Sequence, residues 1–129
     1  MRSATREALA STRAVLSDLG SSADLAAGAE ILASGRAIAG APQLLGLLSD
    51  PTADPAGKKV VIDRVFAGQA AATRAVLTAV AGSRWSSHQD LLVGIEDAGI
   101  RAVAATAPTG TSLEAELCSF ATAVRSAAA

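Results

Sequence analysis

Apolar positions recur along this chain at three- and four-residue intervals, in stretches separated by Gly, Pro and Ser. Residues 4–19 contain neither Gly nor Pro and carry Thr5, Leu9, Thr12, Leu16 and Leu19 on one stripe, which predicts a modestly amphipathic first helix. Gly20-Ser21-Ser22 stops it, and either Ser22 or Asp24 is suited to cap the next helix. Over 24–39 the pattern repeats every seven residues: Leu25, Leu32 and Ala39; Gly28 and Gly35; Ile31 and Ile38. A helical Gly costs up to about 1 kcal/mol relative to Ala. Two of them a heptad apart point to close approach by a neighbouring helix.

Gly40-Ala41-Pro42 breaks the chain, and Pro42 suits a first helical position, where its missing N–H is not needed. Leu44, Leu45, Leu47 and Leu48 predict a short third helix before Ser49-Asp50-Pro51. Asp54-Pro55 starts a fourth, with Val61, Ile62, Val65 and Phe66 as its apolar face and Gly68 as its stop. Residues 70–81 read as a fifth helix, with Ala72, Val76, Ala79 and Val80 on one side, Thr73 and Leu77 beside them, and Arg74 as its one charge. A helix so lightly charged is either central in the fold or covered by a partner. Trp85-Ser86-Ser87 opens a sixth, and both Ser86 with Gln89 and Ser87 with Asp90 have capping-box spacing. Its buried face is expected at Leu92, Ile95, Gly99, Ala102 and Val103, fading near Ala105. A linker at 106–112 contains Pro108 and Gly110, and a last apolar pattern comes at Leu113, Leu117, Phe120 and Val124. The expected fold is all-α: a six-helix bundle over 1–105, then the start of a second helical segment over 113–129.

Composition supports this reading. Ala makes up 32 of 129 residues while aromatics are 2%, which favours helix over strand. The net charge of −1 and the scattered arginines leave no basic patch for a row of phosphates, so nucleic acid is not an expected partner. Arg2, Arg6 and Glu7 occupy the start of the chain in place of a secretory h-region, and no stretch approaches 18 uninterrupted apolar residues. A cytoplasmic domain without direct membrane insertion is expected.

Candidate chemistry is sparse. His88 stands near Ser86, Ser87 and Asp90, but these residues have an ordinary task at a helix start, and no Gly-x-Ser-x-Gly elbow accompanies them. The single Cys118 excludes an intramolecular disulfide, and one His with one Cys does not build a zinc site. Cys118 reads as a small core residue beside the last apolar stripe, and Trp85 as a staple on the sixth helix. Neither a catalytic residue, a cofactor nor a metal is expected.

The order of short pieces is more telling than any one of them. An Ala-rich start is followed by Gly-Ala-Pro-Gln-Leu at 40–44 and Leu-Leu-Ser-Asp-Pro at 47–51. Then come a Lys-Lys helix ending in Val65-Phe66-Ala67-Gly68, Val76-Leu77, and Arg84-Trp85-Ser86-Ser87. This resembles the N-terminal domain of the delta subunit of bacterial F-type ATP synthases, with an actinobacterial style, related to the oligomycin-sensitivity-conferring protein. The resemblance covers about residues 1–105. It implies a non-catalytic stator subunit of the peripheral stalk, on the cytoplasmic face of the membrane. It further implies that the N-terminal helix of an alpha subunit docks between the first and fifth helices. Carried onto this chain, Leu9, Arg13 and Leu16 would line that groove from the first helix, and Thr73, Val76, Leu77 and Val80 from the fifth. Helical phase alone leaves open which of them face the groove and which the core; Leu77 is the one expected to point outward. The family's C-terminal portion, which binds a b-type stalk subunit, has no room in 129 residues, so a truncated chain is expected. The competing reading is a small helical regulatory or dimerisation module, for which a basic recognition helix or an aromatic-lined cavity is missing.

Overall fold

A computed structural model describes residues 3–105. They form α1 (Ser3–Leu19), α2 (Leu25–Ala39), α3 (Pro42–Ser49), α4 (Pro55–Val65), α5 (Ala71–Gly82) and α6 (His88–Ala105), with a 3-10 turn at Gly20–Ser22 and no strand among the described residues. The expected six-helix, all-α bundle is present. The expected segment at 113–124, with Cys118, lies outside the described residues.

Local chemistry accounts for the boundaries. Gly20 adopts φ 54°, a left-handed conformation open to a residue without Cβ, and turns the chain out of α1. Of the two candidate caps for α2 it is Asp24 that serves, its carboxylate accepting from the Ala27 N–H at 2.9 Å. Asp54 does the same for α4, from Ala56 at 3.1 Å. At α6 the Ser87 hydroxyl accepts from the Asp90 N–H at 3.1 Å, which decides for Ser87 over Ser86.

α5 is the hub: it packs against each of the other five helices. Its buried residues are Ala72, Thr73, Val76, Leu77, Val80 and Ala81. Around it Ile31, Ile38, Leu48, Ile62, Phe66, Leu91 and Ile95 complete the core. Each such apolar side chain contributes about 1.5–3 kcal/mol on burial. On α6 it is Leu91 that is fully buried, while Leu92 is only partly so. The low charge of α5 therefore reflects its central position.

The longest seam joins α2 to α6, antiparallel. A Cβ on Gly28 would stand 3.1 Å from the Val103 nitrogen and 3.2 Å from the Gly99 carbonyl oxygen, and one on Gly35 2.9 Å from Ile95 Cγ2. Gly99 makes the matching approach to α2, where Leu32 Cγ lies 2.6 Å from the place its Cβ would take. The close approach expected from the Gly28–Gly35 heptad is thus made by α6. Trp85 lies over Gly94 and donates its indole N–H to the Val80 carbonyl at 2.7 Å, stapling the end of α5 to α6 as expected.

Candidate partner-binding surface

α1 runs parallel to α6. Thr5 donates to Asp90 at 2.8 Å and accepts from the Ser86 N–H at 3.1 Å. Eight residues on, Arg13 reaches Asp97 with two contacts of 3.3 Å. Arg13, Leu16 and Ser17 therefore turn toward α6, where they line a pocket with Arg101, Ala102 and Ala105. Helical phase then leaves Ala4, Ser11 and Val15 on the opposite flank of α1, above the buried Ala8 and toward α5.

α5 is oriented by its polar contacts. Thr73 faces α2, donating to Glu30 Oε1 at 2.7 Å. Arg74 faces α4, 3.6 Å from Asp63, whose carboxyl is held below its ordinary pKa chiefly by the hydrogen bond from Lys59. The side toward α1 is left to Ala72, Ala75 and Ala79, with Gly82 exposed at the end. The furrow between the packed α1 and α5 is the kind of surface on which another helix lays its apolar face.

The residues read from the sequence as groove lining lie mostly beneath this furrow. Thr73, Val76, Leu77 and Val80 are 0–2% exposed and Leu9 is 6% exposed, so all five form the floor and the core. Leu77, expected to point outward, is a correction: it sits in the core. Arg13 is exposed and Leu16 half-buried, both on the α6 side of α1. The rim residues escape sequence reasoning because Ala reads equally well as core or surface. Their one signal is the four-then-three spacing of Ala75, Ala79 and Gly82.

The residues weighed for hydrolytic chemistry are dispersed into structural roles. His88 Nδ1 makes a short contact with the Ser49 hydroxyl, which itself donates to the Leu45 carbonyl at 2.7 Å. Asp90 is engaged by Thr5, and Ser87 caps α6. Lys58 is buried and donates to the Ala81 carbonyl at 2.8 Å, at the C-terminal end of α5. Burial lowers its pKa, and Asp50 opposes that shift. Among the described residues no single helix is long and apolar enough to cross a membrane; α2 and α3 pass together on length and composition but meet at 108°.

No protein-family model matches the chain. Over 126 residues it is 47% identical to ATP synthase subunit delta of Leifsonia xyli subsp. xyli (strain CTCB07), an alignment that covers 98% of this chain and 48% of that protein. The chain therefore spans about half the length of the curated relative it matches. The similarity is to the same subunit that the order of motifs resembles, and it takes in nearly the whole chain.

Proposed function

We propose that this chain is the bundle-forming part of a delta-type, non-catalytic subunit in the peripheral stalk of an F-type ATP synthase, held at the cytoplasmic face of the membrane through its partners. The 47% identity across nearly the whole chain carries the reading. A stator must resist torque, and a bundle in which every helix packs on one central helix is suited to that task. The partner is the N-terminal helix of an alpha subunit, lying in the furrow between α1 and α5. Ala4, Ser11 and Val15 contact it from one side, and Ala75, Ala79 and Gly82 from the other. Leu9, Thr73, Val76, Leu77 and Val80 support that furrow from below, and Arg13 and Leu16 flank it. A b-type stalk subunit binds the full-length protein outside this furrow.

The test is calorimetric titration of the chain with a synthetic peptide of the alpha subunit's N-terminal helix. Binding is expected to come chiefly from apolar burial, about 25 cal/mol per Å² before the costs of association. Ala75→Arg places a long cation in the furrow without touching the core; it is expected to keep the helical circular dichroism signal and lose the peptide. Failure of the native chain to bind at high micromolar concentration refutes the reading. Unchanged binding by Ala75→Arg moves the contact to another face.

A further inference from the structure

Carboxylates among the described residues are, with few exceptions, engaged. Asp24 and Asp54 cap helices, and Asp50 accepts from Thr52. Glu30 and Asp90 accept from Thr73 and Thr5, and Asp63 and Asp97 pair with cations. The exceptions among the described residues are Glu7, Asp18 and Glu96, all exposed and without a hydrogen bond or ion pair to any other group. Glu96 belongs to α6; the other two share α1. Neither Glu7 nor Asp18 has a basic residue three or four positions away with which to pair along the helix. Asp18 stands in the last turn of α1, at the negative end of the helix dipole, a place the helix itself disfavours for an acid.

Eleven residues are close to three turns, so Glu7 and Asp18 lie on one face of α1, about 16 Å apart along its axis. Helical phase puts that face next to Ser11, on the α5 side and outward of the furrow floor. Among the described residues no cation stands along this side. Arg6 and Arg13, a heptad apart, fall on the α6 side of α1. Arg74 faces α4, and Arg84 comes after the end of α5. The furrow therefore has an acidic bank, formed by α1, and a bank without charge, formed by α5.

We propose that the furrow selects a helix with basic side chains at two positions about eleven residues apart beside its apolar stripe, set against Glu7 and Asp18. The proposal rests on the reading that the furrow receives the alpha subunit's N-terminal helix, and it specifies the chemistry that such a helix presents. The apolar stripe supplies burial, and the two charge pairs at the edge fix register and direction and discourage acidic helices.

The test is calorimetry of the native 129-residue chain with two versions of the synthetic alpha-subunit peptide. They differ only at two positions eleven apart beside the apolar stripe, which are Lys in one and Glu in the other. The Lys version is expected to bind roughly two- to thirtyfold more tightly, the range for two exposed ion pairs, and the difference is expected to shrink in 1 M salt, where the screening length falls to about 3 Å. Glu7→Gln with Asp18→Asn is expected to abolish the preference with the helical circular dichroism signal unchanged, whereas Glu96→Gln, the third unpaired carboxylate, is expected to retain it. Equal affinity of the native chain for the two versions overturns the proposal and leaves the docking reading standing. A preference that persists in the double variant, or that disappears in Glu96→Gln, overturns the assignment to Glu7 and Asp18. Binding of neither version overturns the docking reading, and the proposal with it.

Discussion

Replacing Gly28 by Ala tests the geometry of the α2–α6 seam, because the same change made elsewhere in the bundle has the opposite sign. In an unconstrained helix Gly→Ala stabilises by about 0.4–1 kcal/mol, since the unfolded chain loses more freedom with Gly than with Ala. Gly46, inside α3, meets no heavy atom within 4 Å of where its Cβ would stand. Gly46→Ala should show that gain undiminished. At Gly28 the new methyl meets Val103 Cγ2 at 2.8 Å, the Val103 nitrogen at 3.1 Å and the Gly99 oxygen at 3.2 Å. The side-chain contact relaxes by rotating Val103. The two backbone contacts relax only by moving one helix off the other. Overpacking of this kind costs about 1–3 kcal/mol, which outweighs the propensity gain and leaves Gly28→Ala less stable than the native chain by about 1 kcal/mol. The pair of variants is then separated by about 2 kcal/mol, or roughly 8–16 °C in Tm for a domain of this size. Thermal unfolding followed by far-ultraviolet circular dichroism reads both. A Gly28→Ala variant that gains as much as Gly46→Ala refutes the close approach of α2 to α6.

Glu30→Ala should cost about 1–3 kcal/mol, because Glu30 Oε1 accepts from the Ala70 N–H at 3.0 Å and from the fully buried Thr73 hydroxyl, capping α5 from a different helix. Glu30→Gln, which keeps an acceptor oxygen, should cost less in urea denaturation, and equal losses would count against the capping role. Lys58 supplies a pH signature. Its folded pKa is lowered by burial, so the unfolded chain binds that proton more tightly, and stability rises as pH climbs from the folded value toward the ordinary lysine value of about 10.4. The native chain should therefore gain stability relative to Lys58→Met as pH rises toward the ordinary lysine value, and parallel pH profiles of the two proteins would show that Lys58 is solvated.

The helices were legible in the sequence because caps, breakers and apolar spacing are local. Asp54-Pro55, Gly40-Ala41-Pro42 and Gly68 mark boundaries that the structure keeps. Which helix meets which was legible only in part. The Gly28–Gly35 heptad signals close packing, but nothing near it names Gly99 and Ile95 as the other side, since the two helices are far apart along the chain. Nothing local to Lys58 marks it as buried; its burial depends on the end of α5 arriving beside α4. The furrow was the least legible. The resemblance puts Val76 and Leu77 in a partner groove, yet a hub buries its large residues and shows its small ones. The less buried residues on that side of α5 are Ala75, Ala79 and Gly82, which carry little pattern of their own.

The late position of α5 in the chain has a consequence for biosynthesis. Among α1 to α4 only α2 and α3 pack extensively on each other; the remaining major contacts run to α5 or α6. A nascent chain emerging from the ribosome thus exposes its first four helices with no common surface to settle on. α5, residues 71–82, is the first helix on which all four can pack together, and α6, ending at Ala105, completes the core. Pausing translation before that point would hold the apolar faces of α1 and α2 open to chaperones, whereas pausing after it would find the bundle already shut.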